Sequence, residues 1–281
     1  MKVAVTAASG QLGAAVITQL IKRIGKENVI GIARTPAKAA QLGVEIRKGD
    51  YNSKADFEAA LKDIDVVLIV SGMDAPDKRI GQHRNIIHAA KDSGVKKIVY
   101  TSIIGKTGES SFDAIVQSNR QTEQDIIDSG LTYAIGRNGL YIEPDVEYIE
   151  NYKKDGKIMN CAADGLCSYT TRSELAFAYS QLIMNEDRNG NTYNLAGEAI
   201  SQQQLSNYLN QVFGANLVYE EMSVLAYLEM QQKMNGEFLG TVIAGIYTKI
   251  RNGEFNIPSD FEAAAGRKHV SWEAYFSGLI K

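Results

Sequence analysis

A chain of 281 residues, 44% hydrophobic and 22% charged, has the make-up of an ordinary folded protein, long enough for one large domain or two modest ones. Thirty basic against 33 acidic side chains leave a net charge of −3, so no cationic excess is available to track a nucleic-acid backbone. Two Cys and three His make neither a disulfide scaffold nor a metal-ligand spacing, and the longest aliphatic run, Val66 to Val70, is far too short to span a bilayer. Strand-like text begins at Lys2 and leaves no room for a leader, so a cytoplasmic setting is expected.

Val3-Ala4-Val5 reads as a short strand, followed by helical spacing at Leu12, Val16, Ile17, Leu20, Ile21 and Ile24. Val29 to Ala33 is a second strand, with a short helix ending near Gly43. Val44 to Ile46 is a weaker third strand, Phe57 to Leu61 lies on a helix, and Val66 to Val70 is a strong buried strand. A helix through Asn85 to Ala90 stops at Gly94, Ile98 to Thr101 is strand five, a helix around Glu123 to Ile127 ends at Gly130, and Leu131 to Ile135 is strand six. Near-continuous β-branched strands separated by helices specify a mostly parallel sheet covered on both faces, the doubly wound Rossmann α/β arrangement.

Past Gly139 the pattern turns irregular. Tyr141 to Asp155 is polar and aromatic, Asn160 to Tyr169 reads as loop, Leu175 to Met184 as helix, Thr192 to Leu195 as one more strand, and the text from Ser201 is mostly helical. The expected division is 1–140 with 171–198 as the dinucleotide-binding part. Residues 141–170 and 199–281 then form a smaller, mainly helical part over the carboxyl ends of the strands.

The turn Thr6-Ala7-Ala8-Ser9-Gly10-Gln11-Leu12-Gly13 leaves strand one and opens a helix. Gly10 lets backbone approach a pyrophosphate, Gly13 lets helix pack on strand, and the first helical amides receive phosphate oxygens, with hydroxyls from Ser9 and Thr6 as further donors. Ala7 stands where a glycine is usual, and its methyl narrows the turn. At the end of strand two, Ile32-Ala33-Arg34-Thr35-Pro36-Ala37-Lys38 holds no acid to grip a ribose diol. Arg34, with Lys38 beside it, suits the 2′-phosphate of NADP. Asp50 and Tyr51 are expected to flank adenine, the Tyr by stacking, with Ser71-Gly72 and Thr101-Ser102 beside the nicotinamide ribose.

Carbonyl reductases of this fold normally rely on Tyr-x-x-x-Lys, and none of the 14 Tyr has Lys four residues on. His83 and His88, five apart on one helix, are expected at its surface, and Cys161 and Cys167 are expected to be buried or incidental thiols.

The run Val5 to Gly13, with Arg34 to Lys38, Gln82-His83-Arg84-Asn85, Tyr100-Thr101-Ser102 and Arg137-Asn138-Gly139-Leu140-Tyr141, resembles the NmrA-like branch of atypical short-chain dehydrogenases. Its quinone-reducing members are nearest. Thr171-Arg172 and Tyr193 to Gly197 extend the likeness, which is weakest from Ser223 to Ile257. The resemblance implies NADPH binding and hydride transfer to a quinone or similar planar electrophile without a Tyr/Lys pair. It also implies that Asn138 and Tyr141 line the nicotinamide and substrate side. At the branch's His position before strand six this chain has Asn119. A lid is expected near Met222 to Tyr247, where Met222, Met230 and Met234 form an adaptable wall or, as is commoner for Met on a helix, pack in the core. The alternative in the same branch is a regulatory protein that senses NADP without turnover. The partner expected is a small-molecule acceptor, with no nucleic acid and no membrane, and a homodimer is compatible with the sequence but not required by it.

Overall fold

The computed structural model describes residues 1–108 and 110–280. Along the chain the first half runs β1 (Val3–Val5), α1 (Gln11–Ile24), β2 (Val29–Ala33), β3 (Glu45–Lys48), α2 (Lys54–Ala60), β4 (Val66–Val70), α3 (Pro76–Asp92), β5 (Lys97–Ile103), α4 (Ser111–Asp128) and β6 (Thr132–Asn138). The second half runs β7 (Leu140–Tyr141), α5 (Glu143–Glu147), α6 (Ile149–Asp155), β8 (Lys157–Asn160), β9 (Cys167–Thr170), α7 (Arg172–Met184) and β10 (Thr192–Leu195). It ends with β11 (Ala199–Ile200), α8 (Gln202–Phe213), β12 (Val218–Glu221), α9 (Val224–Asn235), α10 (Glu237–Arg251), α11 (Phe261–Ala265) and α12 (Trp272–Ser277).

Seven parallel strands form the central sheet in the order β10-β6-β5-β4-β1-β2-β3. The chain reverses its direction of travel across the sheet between β1 and β4, which opens a crevice at their carboxyl ends. Alternation along the strands sends Val3, Val5, Leu68, Val99 and Ala134 to one face. There they meet Leu12, Val16, Ile17 and Leu20 of α1 and Leu175, Ala178, Tyr179 and Leu182 of α7. Ala4, Ile30, Val67, Ile69, Ile98 and Ile135 face the other way, onto Phe57, Ile86, Ile87, Ala90 and Ile126 of α2, α3 and α4. The third strand is the polar edge, as expected from its text.

The expected irregularity after Gly139 resolves into short ladders. β9 pairs with both β7 and β11, and β8 pairs with β12. The stretch expected as loop, Asn160 to Tyr169, thus contains most of a strand. A second core gathers Phe112 and Val116 of α4 with Ile142, Ile158, Tyr169, Leu205, Val242, Phe255, Trp272 and Phe276. The expected boundaries miss one detail: Phe261, Ala264 and Ala265 of α11 pack back into the first core, beside α7. Helices α9 and α10 form a hairpin in which Gly240 lies against the α9 backbone at Gln232, an approach only a residue without Cβ permits.

Candidate functional site

The α1 amino end points into the crevice. Gly10 is its N-cap, with no side chain capping it and no acidic residue in the first turn. The first main-chain bond of the helix runs from Ala14 N–H to Gly10 O at 2.9 Å, so the amides of Gln11, Leu12 and Gly13 precede it. Uncapped amides at the positive end of a helix dipole are a seat for phosphate. A Cβ on Gly13 would collide with the carbonyl of Ala7 and come within 3.1 Å of Thr6 O, which is why the helix can start this close to the strand. Ala7 itself adopts φ 49°, a left-handed conformation that an L-residue takes at a cost, and its carbonyl accepts from Gly10 N–H at 2.8 Å.

Two adjoining cavities extend from this turn and share Ala7, Ser71, Gly72 and Met73. The first, about 430 Å³, is lined by Ser9, Arg34, Thr35, Lys38, Asp50, Tyr51 and Asn52 among others. Arg34 and Lys38 are exposed, and no carboxylate of the described residues lies within ion-pair distance of either. The second cavity, about 560 Å³, takes in Gly10 to Gly13, Thr101, Ser102, Asn119, Asn138 and Tyr141, with apolar walls from Val70, Ile103, Phe112, Ile115, Leu140, Val242 and Ile246. The expected binding residues therefore converge, except that Thr6 and Ala8 are fully buried beneath the turn.

Hydrogen bonding reassigns several of them. Thr6 Oγ1 accepts from Val70 N–H at 2.9 Å and pairs with Tyr51 Oη at 2.6 Å, while Tyr51 donates to Val70 O at 2.6 Å. The single phenolic proton is thereby used, so the Thr6 proton goes to Tyr51 and none is left for a phosphate. Tyr51 is also pinned by its hydroxyl. Burial pushes its pKa well up, so it remains a neutral phenol. Ser102 donates to Glu123, a buried carboxylate held below its usual range by Arg137 and Arg120, and so its hydroxyl does not turn to a ribose. Thr101 Oγ1 accepts from Ser71 N–H at 2.9 Å, tying the ends of β4 and β5 together.

Asn119, on α4, is 2% exposed, so it can act only through the partners around it. Its Oδ1 accepts from Tyr100 Oη at 2.7 Å and from Ser71 Oγ at 3.1 Å, and its Nδ2 donates to Ile115 O at 2.8 Å. Such a carboxamide has no proton to give and serves to fix Ser71. Asn138 Oδ1 accepts from Tyr179 Oη at 2.5 Å, which turns its Nδ2 toward Tyr141 Oη at 3.3 Å. The Tyr141 oxygen accepts there and keeps its own proton. Burial raises its pKa, and Arg172 lies over its ring at 5.5 Å.

His83 was expected at the surface and is fully buried. Its Nε2 accepts from Gly72 N–H at 2.9 Å, and its Nδ1 lies 2.9 Å from Thr122 Oγ1. Thr122 spends its proton on Ser118 O, so the network assigns the histidine proton to Nδ1. Burial, with Arg79 nearby, pushes the imidazole pKa down to about 3. His83 is thus a neutral clamp on the Ser71-Gly72 turn, whereas His88 is exposed as expected. The methionines do not wall the cavity. Met222 and Met230 pack on Cys161, Tyr227 and Ala244, and Met234 is exposed, while Val242 and Ile246 of α10 supply the wall. Cys161 and Cys167 are buried free thiols.

An uncapped helix start at the sheet's switch point, continuous with a two-part cleft, defines a dinucleotide-binding α/β protein. The family model described as NAD(P)H-binding matches residues 7–160. The chain belongs to this NAD(P)H-binding family, as an NAD(P)H-dependent oxidoreductase with NmrA-like relatives. It is 34% identical to quinone oxidoreductase 2 of Escherichia coli over 225 residues, 79% of this chain and 78% of that protein. An NmrA-like family domain-containing oxidoreductase of Aspergillus flavus is 27% identical over 222 residues, 76% of this chain and 72% of the relative. Among solved structures, the E. coli NADPH-dependent quinone oxidoreductase complexed with NADPH superposes with a TM-score of 0.89 at 29% identity, covering 99% of this chain and 100% of the other. Triphenylmethane reductase of Citrobacter sp. complexed with NADP(H) superposes with a TM-score of 0.90 at 30% identity, with the same coverage. No described helix is long and apolar enough to cross a membrane.

Proposed function

We propose that the protein transfers hydride from NADPH to a quinone or similar small planar electrophile, without a Tyr/Lys pair. The observation that carries this reading is the apolar cavity that opens directly from the phosphate turn and ends at Tyr141. The pyrophosphate would rest on the amides of Gln11, Leu12 and Gly13, with Ser9 beside it. Arg34 and Lys38 would hold the 2′-phosphate, since both lie free at the rim of the first cavity. Asp50 and Tyr51 would border the adenine, Tyr51 as an edge fixed by its hydroxyl.

Bound NADPH would supply the hydride. The chain's own residues would supply position and a proton. Ser71 and Gly72, set by Asn119, Thr101 and His83, form the floor of the cleft between the two cavities. Val242, Ile246, Phe112 and Ile115 would exclude water from the flat acceptor. Reduction of a quinone needs two electrons and two protons: the hydride carries both electrons and one proton, and the Tyr141 phenol, oriented by Asn138, would donate the second. Asn119 would act as a positioning residue.

Steady-state oxidation of NADPH and of NADH against a panel of quinones tests the proposal. The expected result is saturable quinone reduction with a strong preference for NADPH. Intact NADP binding with no turnover at any acceptor would instead favour the sensing alternative.

A further inference from the structure

One buried charge in the cleft has no carboxylate within ion-pair distance among the described residues. Arg79, on the first turns of α3, is 5% exposed and lines the larger cavity. Its Nη2 donates to the main-chain oxygen of Asp74 at 3.0 Å, and its Nε is buried with no hydrogen-bond partner. The Asp74 carboxylate accepts from Gln82 Nε2 at 2.5 Å and acts on the Arg79 charge from outside ion-pair distance. The other groups around the guanidinium carry no negative charge. His83 is uncharged, and Tyr100 remains a phenol that donates to Asn119. The other guanidinium on this cavity, Arg172, is already paired with Glu147 at 2.9 Å. An unpaired buried guanidinium is costly to keep unless something arrives to share it.

We propose that Arg79 is the receptor for a negatively charged oxygen group, a carboxylate or phosphate, carried by the acceptor. The rest of the cavity is walled by Val70, Ile103, Phe112, Ile115, Val242 and Ile246, which suits a flat apolar body with one anionic appendage. This deepens the hydride-transfer reading and rests on it. It makes Arg79 a specificity-determining residue. Arg34, exposed on the first cavity, would meet the cofactor, and Arg79, buried on the second, would meet the acceptor.

The test uses a naphthoquinone bearing a propanoate side chain and its methyl ester, with wild type, Arg79→Gln and Arg79→Lys. Both KM and calorimetric Kd on the NADP⁺-loaded protein are measured. Wild type should prefer the carboxylate over the ester by on the order of tenfold or more, the worth of a charge-assisted hydrogen bond. Arg79→Gln should bring that ratio to about one, by the same reasoning, with ester binding and NADPH affinity unchanged. Arg79→Lys should keep part of the preference. Arg79→Gln removes an unpaired charge, so its Tm should not fall, and Arg79→Met provides a second uncharged variant. No preference in wild type, an undiminished preference in Arg79→Gln, or weakened NADPH binding in that variant would each overturn the assignment. Should neither quinone be reduced, the hydride-transfer reading fails, while the calorimetric ratio still decides the role of Arg79.

Discussion

The buried histidine beneath the Ser71-Gly72 turn makes a pH-dependent contribution whose sign and size follow from its surroundings. An exposed imidazole in the unfolded chain titrates near 6.5, whereas burial pushes the native His83 down to about 3. Between those values the unfolded state holds one more proton than the folded state, so stability falls as pH falls. The slope is about 1.4 kcal/mol per pH unit for one proton. From the unfolded pKa down to pH 5 the accumulated loss is therefore about 2 kcal/mol. That figure is insensitive to the native pKa, provided it stays below about 4. In His83→Gln the amide oxygen can reach the Nε2 position and receive the Gly72 N–H, yet no proton is taken up. Urea unfolding of wild type and His83→Gln at pH 7.5 and 5.0 isolates the effect, because other groups titrate alike in both proteins. Asp145, which burial raises to about 6, contributes with the opposite sign below pH 6 and cancels in the difference. Equal pH slopes for the two proteins would refute the neutral-clamp assignment.

Arg34→Ala should lose roughly 1.5–3 kcal/mol of NADPH binding, the usual worth of a hydrogen bond to a charged group, with NADH affinity unchanged by titration calorimetry. Gly13→Ala would drive a methyl into the Ala7 carbonyl, so unfolding stability should drop by about 1–3 kcal/mol and cofactor affinity should drop with it. Tyr141→Phe should lower kcat on quinones by on the order of tenfold to a hundredfold while leaving the NADPH Kd near wild type, since general-acid help is of at least that size.

Much of this arrangement is legible in the sequence, for reasons that can be located. β4 is buried on both faces, so its text is continuously apolar, as is the Ile98 to Tyr100 centre of β5, and α1 repeats its apolar stripe at helical spacing. The phosphate turn shows itself because its glycines answer to a close backbone approach. β7, β9 and β11 stayed hidden, since strands of two to four residues owe their existence to a distant partner rather than to their own periodicity. His83 was misread by comparison with His88. The informative comparison is with Ile86, Ile87 and Ala90, three, four and seven residues on, which place it on the buried stripe of α3. That signal was present. The commitments of Thr6 and Ser102 were not, because each depends on a partner, Tyr51 or Glu123, from a remote segment. Of the two roles open to the methionines, Met222 and Met230 take the core one, because α10 rather than α9 faces the cleft, and composition cannot choose between two adjacent helices.

The first turns of α4 belong to one core through Phe112 and Val116, and its last turns belong to the other through Ile126. With α7, β10 and α11 also returning across the divide, the two halves are woven together like fingers of clasped hands. No single cut frees one half without breaking elements that both share. If the larger cavity takes the acceptor as proposed, its range would change through wall residues such as Val242 and Ile246 rather than by exchange of a module.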